Sequence, residues 1–158
     1  MPAPDTSGLD SLSACHRDLL DLCDRLEEIA DSLPRPDRQL CLHAARAIQP
    51  LVARAHEIEE AVLFPALETE AVPLADMGDT LERLRLEHCE DECFAEEVHD
   101  ELMALGRGDD RLLLEATGYM LRGFFESLRR HVGQERMLLA ALLARRAEQP
   151  VNRGAALQ

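Results

Sequence analysis

Tryptophan is absent from this chain, and aromatic residues make up only 3% of it. A core with so few rings must close on aliphatic side chains. Leu, Ala, Glu and Arg dominate instead, a composition that favours packed helices. The chain also lacks a basic stripe: its formal charge is −14, which argues against nucleic acid and against an anionic membrane as partners. No stretch approaches the roughly 20 apolar residues that a membrane span requires. The opening Met-Pro-Ala-Pro-Asp-Thr-Ser-Gly has neither a basic region nor an apolar run, so no secretion signal is expected. Five cysteines, at 15, 23, 41, 89 and 93, are scattered through helical segments rather than set in a disulfide-like framework. A reducing cytoplasm suits them. At 158 residues the chain has room for one domain with a single core.

What is present is helical periodicity. The expected fold is all-α, an up-down-up-down antiparallel four-helix bundle over residues 7–148, with a disordered start (1–6) and a flexible tail (149–158). Helix one runs from Ser7 to Ser32. Its inward positions step by threes and fours through Leu9, Leu12, His16, Leu19, Cys23, Leu26, Ala30 and Leu33, before Pro34 and Pro36 end it. Helix two covers Asp37 to Leu67, with Ala45, Ile48, Val52, His56, Glu60, Leu63 and Leu67 on one stripe. Pro50 should kink or split it, and Pro65 and Pro73 should close it. Helix three opens after Gly78 on a capping-box-like Asp79-Thr-Leu-Glu82 and runs to Leu105, where Gly106 stops it. Its seam is Leu81, Leu84, His88, Asp91, Ala95, Val98, Leu102 and Leu105. Helix four starts near Asp109 or Asp110 and reaches Ala147, with Leu121, Phe124, Leu128, His131, Glu135, Leu138 and Leu142 facing in. Gly118, Gly123 and Gly133 weaken it or let neighbours approach closely.

One pattern occurs twice across these helices. His16 is followed by His56-Glu-Ile-Glu-Glu60, and His88 by His131-Val-Gly-Gln-Glu135, at His-to-His intervals of 40 and 43 residues. At about 1.5 Å of rise per residue, His16 and His56 lie roughly 26 and 28 Å from the first interhelical turn. His88 and His131 lie roughly 26 and 32 Å from the last, so the four imidazoles share one level. The spacing His-x-x-x-Glu puts both side chains on one face, one turn apart, so Glu60 and Glu135 join that level. Burying six such groups without a partner costs several kcal/mol each, and a metal pair removes that cost. Six ligands exceed what one tetrahedral zinc takes, and no cysteine lies at the site's level and face. Two bridging carboxylates with two imidazoles per metal suit a dinuclear non-haem iron centre. Ferritin-like bundles use Glu-x-x-His and more carboxylates, an order and spacing different from these.

The segments Cys-His16-Arg-Asp-Leu-Leu, His56-Glu-Ile-Glu-Glu60-Ala-Val-Leu-Phe-Pro65, Leu-Glu-His88 and Arg-His131-Val-Gly-Gln-Glu135 resemble the hemerythrin-like HHE cation-binding domain over nearly the whole chain. The resemblance implies two Fe ions with an oxo or hydroxo bridge. In it, His16, His56, His88 and His131 are terminal ligands, and Glu60 and Glu135 are bridges. Oxygen-carrying members have a further His one turn after the third-helix ligand, where this chain has Glu92, and they place an Asp five residues after the last His, where Glu135 follows by four. The set is more similar to that of relatives handling NO, peroxide or iron-centre repair. The expected function is a di-iron protein that binds or reacts with a small oxidant, O2, NO or peroxide, in oxidative or nitrosative stress. The alternative is an iron- or oxygen-sensing module, or an iron-storage or repair module, without turnover. Whether it is an enzyme and whether it forms a homodimer stay open.

Glu59, Asp91 and Glu92 are candidates for contacts to the ligands or for an extra ligand. His43 is expected at the surface, and His99 too far along its helix, about 16 Å, to join the site. The run of acids on helix three reads as a solvated face, with an iron entry path or a docking surface for a basic partner as the sharper alternative. Cys89 and Cys93 read as surface thiols, and Tyr119, about 18 Å from His131, as remote from the site.

Overall fold

The computed structural model describes residues 7–70, 72 and 75–149; the tails expected at 1–6 and after 149 lie outside these. Among the described residues five α-helices form in chain order: α1 (Ser7–Ser32), α2 (Arg38–Ile58), α3 (Phe64–Thr69), α4 (Met77–Arg107) and α5 (Leu114–Glu148). A single π turn, Glu59–Leu63, joins α2 to α3 without a break, so these three segments make one bundle member. Neighbours run α1, α2, α4, α5 and back to α1, the ring of an all-α antiparallel four-helix bundle. There is no strand among the described residues, and no helix among them is long and apolar enough to cross a membrane.

Local chemistry sets the ends. Asp37 caps α2, its carboxylate accepting from the backbone N–H of Gln39 at 2.9 Å and of Leu40 at 3.1 Å. The helix continues through Pro50 rather than dividing there. Pro50 and Arg46 are both exposed, so water can reach the Arg46 carbonyl that loses its donor. Helix α4 begins two residues before the expected start, after Asp76 at φ 55°, and no side chain caps it. It ends two residues past Leu105, at Arg107: Gly106 stays helical, and Gly108 at φ +74° takes the left-handed stop. Gly106 instead serves close approach, since a Cβ there would fall 2.6 Å from Leu42. The three glycines of α5 do not: Gly118 and Gly123 leave ordinary space of 3.6 and 3.8 Å, and Gly133 faces nothing. Helix α5 starts at Leu114, because Asp109 and Arg111 tie residues 109–113 into a turn through a 2.7 Å ion pair.

The segment at Pro65 is the largest local irregularity, and the helix expected to reach Leu67 ends two residues later. The chain passes Pro65 helically to Thr69. Phe64 N–H donates to Glu59 O, five residues back, the signature of the wide turn. In a regular helix the Pro65 ring would strike the carbonyl of Ala61. Widening the turn by one residue relieves that clash and keeps Leu63, Phe64 and Leu67 in the core.

Two apolar clusters fill the bundle. One gathers Leu19, Leu26, Ile48, Val52, Val98, Leu102, Phe124 and Leu128. The other gathers Leu9, Leu12, Leu63, Phe64, Leu67, Leu81, Leu84, Leu138 and Leu142. Between them lies a polar layer, its imidazoles covered on one side by the Phe64 ring, 5.5 Å from that of His88.

Candidate metal centre

Four imidazoles meet in that layer, one from each bundle member, and all are buried: His16, His56, His88 and His131. His56 stacks on His88 with ring centroids 3.9 Å apart, and His131 approaches both at 5.7 and 5.1 Å. Two carboxylates complete the layer. Glu135, one turn after His131, is fully buried as expected of its face. The other is Glu59, 1% exposed, and not Glu60, whose side chain is 45% exposed. A step of four residues from His56 gives Glu60, and a step of three, equally within a helical seam, gives Glu59. The structure takes the step of three and then one of four to Leu63, and the π turn that begins at Glu59 lies beyond that choice.

The layer is a dense ion cluster. His16 Nε2–H donates to Glu59 Oε1 at 2.8 Å and lies 3.5 Å from Glu135 Oε2. His88 Nε2 stands 3.1 Å from Glu59 Oε2 and 3.2 Å from Glu135 Oε1. His131 Nε2 is 3.1 Å from Glu135 Oε1. Burial opposes charge on every one of these imidazoles, but the Glu135 and Glu59 carboxylates outweigh it at His16, which is raised to about 9. His88 is raised to about 10 for the same reasons, with Glu60 adding to them, and His131 is raised too, Glu135 outweighing its burial. His56 goes the other way, to about 4: burial lowers it, and the neighbouring His88 charge adds to that. Burial pushes Glu59 up despite its imidazoles, whereas on Glu135 His131, His16 and His88 overcome burial and draw it well below the carboxylate range.

Three of the four rings are gripped from outside. His56 Nδ1–H donates to Glu92 Oε1 at 2.9 Å, and His88 Nδ1–H to Glu60 Oε1 at 2.6 Å. His131 Nδ1–H points to Glu87 Oε2 at 3.3 Å, with Asp91 Oδ2 at 3.6 Å. Such carboxylates fix the Nδ1–H tautomer and turn Nε2 inward, the usual support of a metal-binding histidine. Glu60 and Glu92 therefore stand in this outer ring, as does Glu87, which its place on an acidic face had hidden. Asp91 is 7% exposed, inward as its seam position required.

The donor set fits a metal. His56 Nε2, His131 Nε2, Glu59 Oε2 and Glu135 Oε2 are buried without a hydrogen-bond partner, although ions of opposite sign stand near some of them. Orphaned polar atoms of this kind are costly unless something else satisfies them. Two groups could each hold one cation: His56, Glu59, His88 and His131, and His16, Glu59 and Glu135. Glu59 is common to both groups, and His88 Nε2 also stands within 3.2 Å of both carboxylates of the His16 group.

The other singled-out residues stand apart. His43 is exposed; His99 is half-buried, its ring at Nδ1 bonded to Ala45 O at 2.8 Å, so that it links α4 to α2. Cys89, Cys93 and Tyr119 are exposed. The Cys23 thiol is pushed by burial up to about 12, which makes it inert.

No curated protein and no solved structure is significantly similar to this chain. The family model for the hemerythrin HHE cation-binding domain matches residues 7–143, a span that includes every residue of the polar layer. The chain therefore belongs to the hemerythrin HHE cation-binding domain family.

Proposed function

We propose that the polar layer holds two non-haem iron ions and that the protein binds or reacts with a small oxidant there, O2, NO or peroxide. The observation that carries this reading is the set of inward donor atoms without hydrogen-bond partners: His56 Nε2 and His131 Nε2, on rings held from outside by Glu92 and Glu87, beside Glu59 Oε2 and Glu135 Oε2. His56, His88 and His131 would hold one ion, His16 and Glu135 the other, with Glu59 reaching both. Mixed imidazole and carboxylate donors suit iron. When bound, an iron pair supplies electrons to a small oxidant and an attachment point for it.

The chain's own residues do the rest. The His16 group brings three protein donors where the other brings four, so an incoming ligand finds more room beside His16. The aliphatic clusters on either side keep bulk water from the layer. His16 and His88, which hold protons well above neutrality in the metal-free protein, must give them up as metal enters.

Metal analysis with optical spectra, before and after addition of peroxide or NO, tests this. Two irons per chain and a spectrum that responds to either reagent are expected. Turnover of the reagent makes the protein an enzyme, and a bound adduct without turnover makes it a sensor or store. A chain that retains no iron after reconstitution refutes the proposal.

A further inference from the structure

Of the four helix–helix interfaces, that between α4 and α5 is the most open. A cavity of about 370 Å³ lies along it, lined among others by Arg83, Glu87, Glu90, Asp91, Arg130 and His131. Two of these residues also belong to the buried layer or touch it. His131 and Asp91 are 5% and 7% exposed, which makes them the floor of a cavity whose other walls are more open to solvent. The His131 ring spans the boundary: its Nε2 is 3.1 Å from Glu135 in the core, while its Nδ1 meets Glu87 and Asp91 on the groove side.

Asp91 Oδ2 is unexplained by the fold alone. It is buried, it has no hydrogen-bond partner, and the nearest imidazole nitrogen, at 3.6 Å, is too far to supply one. His131 gives it an ion pair at that distance but no hydrogen bond, and a buried carboxylate short of a hydrogen bond is costly unless a further cation or water completes it. Glu87 and Glu90 add two more carboxylates along the same wall, and Glu87 already holds Arg83 at 3.1 Å.

We propose that this groove is a cation-loading site: Glu87, Glu90 and Asp91 take a hydrated divalent transition-metal ion from solvent and hand it past His131 to the core. The inference rests on the metal-binding reading above and adds the route. Six waters at about 30 Å³ each fill roughly 180 Å³, and the cavity, at about 370 Å³, holds that shell. Carboxylate oxygens hold a hydrated ion loosely, whereas the core offers four imidazoles, which transition ions prefer. Transfer therefore runs inward. The chain's charge of −14 favours cations around the molecule as a whole, while Arg83 and Arg130 offset two of the groove's three carboxylates. The site is a waystation, so the number of ions held at equilibrium does not include it.

The test is the rate at which metal-free protein takes up Co(II), followed by its visible absorption after rapid mixing, together with the final Co(II) per chain. Asp91→Asn should slow uptake about tenfold, the scale of local electrostatic focusing, and leave the endpoint at that of the parent. Glu90→Gln, an exposed change with less bearing on folding, should slow it by a smaller factor. Glu97→Gln, on the same acidic helix but outside the groove lining, should leave the rate alone. Unchanged rates in both groove variants overturn the loading site. So does a fall in the Asp91→Asn endpoint, which would make Asp91 part of the core site. Failure of the parent itself to bind Co(II) refutes the metal-binding reading, and the loading site with it.

Discussion

Replacing Glu59 and, separately, Glu60 by Gln decides which of two adjacent carboxylates serves the core. Glu59 is 1% exposed, 2.8 Å from His16 Nε2 and 3.1 Å from His88 Nε2. In the metal-free protein both imidazoles are charged at neutral pH, so Glu59→Gln leaves two buried cations sharing Glu135. Breaking a buried pair costs about 3–5 kcal/mol; Gln still offers an acceptor, which points to about 3. Glu60 also touches His88, at 2.6 Å, but its side chain is 45% exposed. Water screens that contact, and Glu60→Gln should cost about 0–1 kcal/mol. The gap of about 2 kcal/mol or more is easily resolved by urea unfolding of the metal-free protein. Metal content separates the variants further. Because Glu59 belongs to both ligand groups, Glu59→Gln should lower occupancy at both positions. Glu60→Gln should keep the parent stoichiometry and weaken affinity about 10–100-fold, the usual cost of losing a carboxylate behind a ligating imidazole. Metal per chain after dialysis reads this directly. If Glu60→Gln strips the metal while Glu59→Gln retains it, the rotation of α2 has been misjudged and the reasoning fails.

Other outcomes follow from the same structure. His16 and His88 stand at about 9 and 10 in the folded chain against an ordinary 6.5, so the stability they lend is complete below about pH 6.5 and is lost as pH rises through 9 and 10. His56, lowered to about 4, removes stability as pH falls from 6.5 towards 4, because the unfolded chain takes that proton first. The metal-free protein should thus have its highest unfolding midpoint near pH 6.5, while metal affinity rises between pH 6.5 and 9; a midpoint that climbs steadily to pH 10 contradicts the cluster. His16→Ala should cut metal content to about half that of the parent, since His16 is the one imidazole of its group, whereas His131→Ala leaves His56, His88 and Glu59 behind and should weaken its position more gently. Equal losses in titrations of the two variants would favour a two-and-two division of the imidazoles. Deleting exposed Ala61 from the π turn of a Pro65→Ala variant should be tolerated, because with the ring gone it restores a regular turn between unchanged flanks. Deleting exposed Ala53 from α2 should be far worse by thermal unfolding, because it turns one flank of that helix by about 100° off the core. Equal thermal shifts would show that the wide turn is not the spare residue.

Much of this protein was legible one residue at a time. Every α-helix repeats at a fixed angle, so a seam of Leu, Ile and Val interrupted by His16, His56, His88 and His131 announced four inward imidazoles at one level. Glu135 and Asp91 followed from the same count. The count failed where two adjacent acids both fit it. Glu59 and Glu60 stand three and four residues after His56, steps that a helical seam uses alike, and only the rotation of α2 against its neighbours put Glu59 inside. The π turn at Glu59–Leu63 was hidden too, save for the awkward Pro65. Pro50, equally awkward on paper, proved harmless because its freed carbonyl faces water.

The chain alone determined the all-α bundle, the buried level of histidines and the acid that follows the last of them, because these depend on period and height along one helix. Only the tertiary structure decided that Glu59 enters the core, that Glu60 and Glu92 stand behind His88 and His56, and that Glu87 stands behind His131. Those facts depend on how each helix is rotated about its axis and against its neighbours. That rotation is set by the packing of Leu63, Phe64 and Leu67 after a widened turn, a contest among many side chains that no spacing along the sequence expresses.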